Sequence, residues 1–134
     1  MTGSQLSLAV RPLHLGLGAR AVPQPEFGGG MEWYGAYEAR NAVDGAEGRL
    51  VSQHHFTADW DMWEMHPQGD EVVICIAGQM VLHQERAGGG VDTFTLEPGD
   101  YAINSPSVWH TADIASEATA IFITAGKGTQ HRPR

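Results

Sequence analysis

Apolar residues recur at every second position along much of this chain, which is the period of a strand with one buried face. Leu6, Leu8 and Val10, followed by Leu13, Leu15 and Leu17, predict one or two strands broken near Pro12. From Arg49 onward the same pattern comes in short runs, over residues 49–57, 60–65, 71–77, 79–85, 92–96, 101–104, 108–113 and 119–124. Gly78, Gly88 to Gly90 and Gly99-Asp100 separate several of these runs and supply turns that need positive φ. Residues 22–30 carry Pro23, Pro25 and three consecutive glycines and predict a loop, and residues 44–48 are rich in turn formers. In residues 31–40, Trp33, Tyr34 and Tyr37 fit helical spacings, yet their aromatic character also suits a strand, so both readings stay open. Residues 126–134 are polar with three basic side chains and are expected to be a tail unless a partner orders them. The pattern predicts an all-β fold, a sandwich or a small barrel.

Composition narrows the function. At 134 residues the chain is the size of one domain, and 42% apolar content is enough for a packed interior. Sixteen carboxylates against eight Lys and Arg give a formal charge of −8, a sign that repels phosphate backbones and argues against a nucleic-acid partner. No stretch approaches the roughly 20 apolar residues of a membrane span, and the N-terminal residues lack a basic leader. The single Cys75 lies in an apolar run, so it reads as a small buried hydrophobe in a reducing, cytoplasmic setting.

Chemistry concentrates between Trp60 and Glu71. On a strand, Trp60, Met62, Glu64 and His66 share one face, while Asp61, Trp63 and Met65 share the other. A turn at Pro67 to Asp70 brings Glu71 back towards His66, and alternation places His110 on an interior face with Val108 and Ala112. His54 and His55 are adjacent, so at most one of them reaches the interior; a structural or surface role is expected for both, and His14, His83 and His131 are left unassigned. Trp60 shares the face of Glu64 and is placed to line a pocket mouth.

These residues resemble the motifs of the cupin superfamily, small jelly-roll barrels built as a double-stranded β-helix. Glu64-x-His66, four residues, Glu71, six residues and Gly78 match the spacing of the first motif. Gly99-Asp100, the Ser105-Pro106-Ser107 turn and His110 match the second. The likeness covers residues 49–123, with Ala58 in place of a glycine, Ile114 in place of an asparagine, and Glu64 in place of the first histidine. It implies a barrel over residues 49–125, with residues 1–48 as strands and connectors packing on it or on a dimer partner. It also implies that Glu64, His66, Glu71 and His110 stand at the positions of a metal site.

Two imidazoles and two carboxylates suit a divalent first-row ion such as iron, manganese, nickel or zinc. Two readings follow. In one, the ion serves an enzyme of dioxygenase, isomerase or lyase type acting on a small molecule, and if no ion is present Glu64 or Glu71 becomes the catalytic base. In the other, the barrel is a metal-free binding or sensor module. Trp63 and Met65 make the predicted strand apolar on both faces, so cover is expected from the Leu-rich N-terminal strand of the same or a second chain, and a homodimer with it.

Overall fold

A computed structural model describes residues 5–134. All eight strands expected between residues 49 and 124 are present: β3 (Arg49–Phe56), β4 (Met62–Met65), β5 (Glu71–Gly78), β6 (Met80–Glu85), β7 (Val91–Leu96), β8 (Tyr101–Asn104), β9 (His110–Asp113) and β10 (Ala118–Thr124). Two strands precede them, β1 (Leu13–Gly16) and β2 (Arg20–Pro23), and one follows, β11 (Gln130–Pro133). Every pairing is antiparallel, in one sheet ordered β2-β1-β3-β10-β5-β8 and another ordered β11-β4-β9-β6-β7. Val73, Cys75, Met80, Leu82, Ala112, Ala120 and Phe122 form the core between them. Cys75 is fully buried, as its apolar neighbours suggested.

The turns behave as their glycines require. Gly78, Gly89, Gly90 and Gly99 have φ of 68°, 95°, 88° and 95°. Gly78 is the most constrained, because a Cβ there would collide with the Glu117 carbonyl. Gly78→Ala is expected to cost about 2–4 kcal/mol, the left-handed penalty plus the backbone shift, measured by urea unfolding.

Residues 6–10 depart from the strand expectation. They form a turn in which the Val10 and Arg11 amides donate to the Ser7 carbonyl, 3.1 and 2.8 Å away, and Leu6 and Val10 are exposed. Alternation predicts a strand, but among the described residues this segment pairs with none, and the Val10 carbonyl only accepts from the Phe27 amide at 2.8 Å. Residues 126–134 also depart, since they are no free tail: β11 pairs with β4 along its whole length. Its Arg132 lies over the Trp63 and Trp109 rings, 4.5 Å from the latter's centroid, and bonds Glu85. The cover for Trp63 therefore comes from the C-terminal segment, and the N-terminal strand β1 pairs instead with β3 in the other sheet.

Residues 31–40 are helical. Helix α1 (Gly30–Arg40) carries Glu32 in its first turn and Arg40 in its last, complementing the helix dipole. Trp33 stacks on Tyr37 one turn later, with centroids 5.7 Å apart, which settles the competition between helix and strand. Asn41 ends the helix, its amide and side chain both donating to the Tyr37 carbonyl. A 3-10 helix (Ala42–Glu47) follows and carries Asp44, which with Tyr37 brackets the buried His14 of β1: both contacts to the imidazole are 2.6 Å. Arg20 neutralises Asp44 through two bonds of 2.7 and 2.8 Å. Bonding to His14 and Arg20 holds the Asp44 carboxyl below the usual carboxylate range. This network fastens α1 to the barrel.

Candidate metal centre

Register brings the predicted residues together. Glu64 of β4 pairs directly with His110 of β9 on one side and with His131 of β11 on the other. His66 lies two residues beyond Glu64 on the same face, and Glu71 opens β5 opposite Asn104 of β8. The second motif's turn is pinned to the first. Ser107 adopts a left-handed backbone with φ of 63°, and its amide donates to the His66 carbonyl at 2.9 Å. A left-handed conformation in a residue with a side chain is strained, and the contact to His66 is what holds it.

Glu64, His66 and His110 each present one ligand atom, and these atoms all lie within 4.8 Å of one another. His110 is fully buried and His66 is 4% exposed. Their hydrogen bonds fix the donor side of each ring. His110 Nδ1 donates to the Val108 carbonyl at 3.3 Å. Thr129 donates its own proton to the Gly126 carbonyl, leaving its oxygen to accept from His66 Nδ1 at 2.7 Å. With Nδ1 acting as the donor in each ring, both Nε2 atoms point inward, buried without an aligned hydrogen-bond partner among the described residues, and loss of any Nε2 proton leaves a lone pair there for an ion. Orphaned imidazole nitrogens fixed by a bond on the opposite side of the ring are the arrangement of metal-ligating histidines, so the residues fit an ion.

Glu71 lies beneath this group. Its oxygens come within 3.1 Å of His66 Nε2 and 3.2 Å of His110 Nε2, though neither approach has hydrogen-bond alignment. They instead accept bonds from Asn104 Nδ2 at 3.0 Å and Thr124 Oγ1 at 2.6 Å. Burial raises the Glu71 pKa, but the two imidazoles outweigh it and hold the carboxyl well below its ordinary range. Burial, reinforced by the Glu71 charge, pushes Glu64 up. For His66, burial pulls down while the adjacent Glu71 and Glu64 carboxylates push up more strongly, leaving it raised. A cation entering here displaces protons that Glu64 and His66 otherwise retain. Zinc uptake near neutral pH is therefore expected to release protons and to weaken as pH falls, which titration calorimetry in buffers of different ionisation heat will read.

A cavity of about 920 Å³ opens over this group. Glu64, His66 and Glu71 line its inner end, and Trp60 lines its wall as its place on the strand suggested. Tyr34 and Glu38 of α1 roof it, so the undecided segment of the sequence closes the site. Tyr34 is raised by burial and by the charges of Glu64 and Glu71. His54 also lines the cavity, with burial pulling it down, while its neighbour His55 points outward to Thr119. His131 was unassigned in the sequence, yet its Nε2 stands 3.6 Å from Glu64 Oε1. Thr129, the orienting partner of His66, also lies in the segment expected to be a tail.

Two antiparallel sheets closing on an inward cluster of histidines and carboxylates define a double-stranded β-helix, and the chain has the cupin fold. No protein-family model matches the sequence, and no curated protein matches it. Solved structures do. A cupin protein from Bacteroides fragilis aligns at 19% identity and TM-score 0.51, covering 68% of this chain and 74% of that one. A protein with a double-stranded β-helix domain from Klebsiella pneumoniae aligns at 21% identity and TM-score 0.53, covering 64% and 76%. A recombinant oxalate oxidase in complex with glycolate aligns at 12% identity and TM-score 0.54, covering 61% of this chain and 45% of that one. The chain thus spans less than half of the oxidase, and the likeness is one of fold. Among the described residues, no helix is long and apolar enough to cross a membrane.

Proposed function

We propose that this protein is a metal-dependent enzyme acting on a small organic molecule, with a divalent first-row ion held by Glu64, His66 and His110. The observation that carries this reading is the pair of buried, partnerless Nε2 atoms beside a carboxylate. Such an ion, when bound, supplies Lewis-acid chemistry and, if redox-active, chemistry with dioxygen. The protein's own residues do the rest. Glu71 offsets the positive charge and, anchored by Asn104 and Thr124, keeps the two imidazoles converged. Glu64, with its side chain 27% exposed, is the carboxylate that reaches the cavity, and with no ion held it would be the group that takes up a substrate proton. The aromatic wall lowers the local polarity on one side of the cavity, which strengthens electrostatic contacts made against it. Elemental analysis of untagged protein tests this: about one equivalent of iron, manganese, nickel or zinc is expected, and no retention after reconstitution would overturn it.

The reading extends to a cytoplasmic homodimer. Its support lies on the outer face of the larger sheet, not at Trp63. Leu13, Val51, Ile123, Val72 and Ile103 form one unbroken cross-strand row, and Ile121, Ile74 and Tyr101 form the next. Ile76, Tyr101 and Ile103 are 41%, 65% and 49% exposed, too much contiguous apolar surface to leave in water. Light scattering at micromolar concentration is expected to give about twice the 14.5 kDa chain mass, and Ile74→Lys to halve it. A monomeric mass for the unaltered protein would contradict the dimer.

A further inference from the structure

The cavity's wall and its charge select what enters. His54, Phe56, Trp60 and Phe122 form a continuous aromatic surface, with Phe56 to Trp60 at 5.6 Å, Trp60 to Phe122 at 6.0 Å and His54 to Phe122 at 5.8 Å between ring centroids. Trp60 continues it to within 6.2 Å of the His110 ring, and Tyr34 closes it from above. A flat ring is the shape such walls hold, by stacking and edge contacts. Charge adds a second filter. Glu38, Asp59, Asp61, Glu64 and Glu71 all line the cavity, and among the described residues no Lys or Arg does. Arg134, which reaches the Trp60 carbonyl, is paired with Asp113. A divalent ion would balance Glu64 and Glu71, leaving three outer carboxylates with no cation in the lining.

We infer that the substrate is a small aromatic amine: a flat ring against Trp60 and Phe122, with its ammonium towards the carboxylates of Glu38 and Asp61 and its other end towards Glu64 and His66. This rests on the proposed site but concerns walls that are not metal ligands. Aromatic faces and carboxylates both attract a cation, and both disfavour dianions such as oxalate or phosphate esters. The assignment therefore parts from the oxalate oxidase that shares the fold.

Calorimetry with the full chain tests it, using tyramine, 4-ethylphenol, oxalate and phenyl phosphate on zinc-loaded and on chelator-treated protein. Tyramine is expected to bind at least about tenfold tighter than oxalate or phenyl phosphate in both forms, and tighter than 4-ethylphenol, a free-energy gap of about 1.4 kcal/mol or more in the first comparison. Trp60→Leu should weaken tyramine about tenfold with zinc stoichiometry unchanged. Glu38→Gln combined with Asp61→Asn should bring tyramine down to the level of 4-ethylphenol. Oxalate or phenyl phosphate binding zinc-loaded protein as tightly as tyramine would overturn the inference while leaving the metal site standing. Tyramine binding to protein that takes up no zinc would uphold the inference while removing the metal.

Discussion

His66→Ala and His110→Ala will each lower zinc affinity by at least about a hundredfold, and the double variant will bind no stoichiometric ion. Each change removes one of the two buried Nε2 donors, and the remaining pair of ligands does not hold an ion against water. A competition assay with a chromophoric chelator gives the affinities. Without metal each change is expected to lower the stability of the fold as well. Each removal opens a cavity and takes a partner from the buried Glu71 carboxylate. A loss of zinc affinity far larger than the accompanying shift in urea midpoint accounts for therefore identifies a ligand and not a packing residue. His55→Ala and His83→Ala, whose rings bond Thr119 and Asp113 away from the cavity, should leave zinc affinity unaltered.

The second large effect is expected from residues 126–134. Removing them deletes β11, the Arg132 contact with Trp63 and Trp109, and the Thr129 hydroxyl that sets the His66 tautomer. Exposing the β4 edge and two indole rings should cost about 2–4 kcal/mol, from four ladder residues and the buried aromatic area. Metal affinity should fall about 10–100-fold through loss of the orienting bond. Thr129→Val separates the two consequences. It keeps the strand but leaves His66 Nδ1 without its acceptor, so zinc affinity should drop while the unfolding midpoint moves little. Thr129→Ser retains the hydroxyl and should restore affinity. Equal zinc affinity in Thr129→Val and the unaltered protein would mean that the tautomer is set by something else.

How much of this was readable from the chain follows from how each element earns its structure. Barrel strands such as β5, β6 and β10 alternate buried and less buried positions because one face is turned to the core, and glycines with positive φ mark several strand ends. Glu64, His66, Glu71 and His110 were legible for the same reason, since spacing along a strand fixes the face and a turn fixes the return. The C-terminal strand was not. β11 is an edge strand held by backbone bonds and by Arg132 lying on indole rings, so its own residues show no apolar period, and Thr129 and His131 went unrecognised with it. Residues 6–10 fail in the opposite sense: they alternate, but Leu6 and Val10 remain exposed. Helix α1 has only Tyr37 buried, so little amphipathic pattern announces it, and its place over the cavity depends on a tertiary clamp from His14 and Asp44. Adjacent histidines at 54 and 55 told only that one could face inward; the aromatic neighbours that make it His54 come from β10 and from residue 27.

The most direct test is an anomalous difference map from crystals of zinc-loaded protein, collected at the zinc edge. One strong peak is expected about 2.0–2.2 Å from Nε2 of His66, Nε2 of His110 and a carboxylate oxygen of Glu64. A peak at surface histidines alone, or none between these three side chains, would contradict the account.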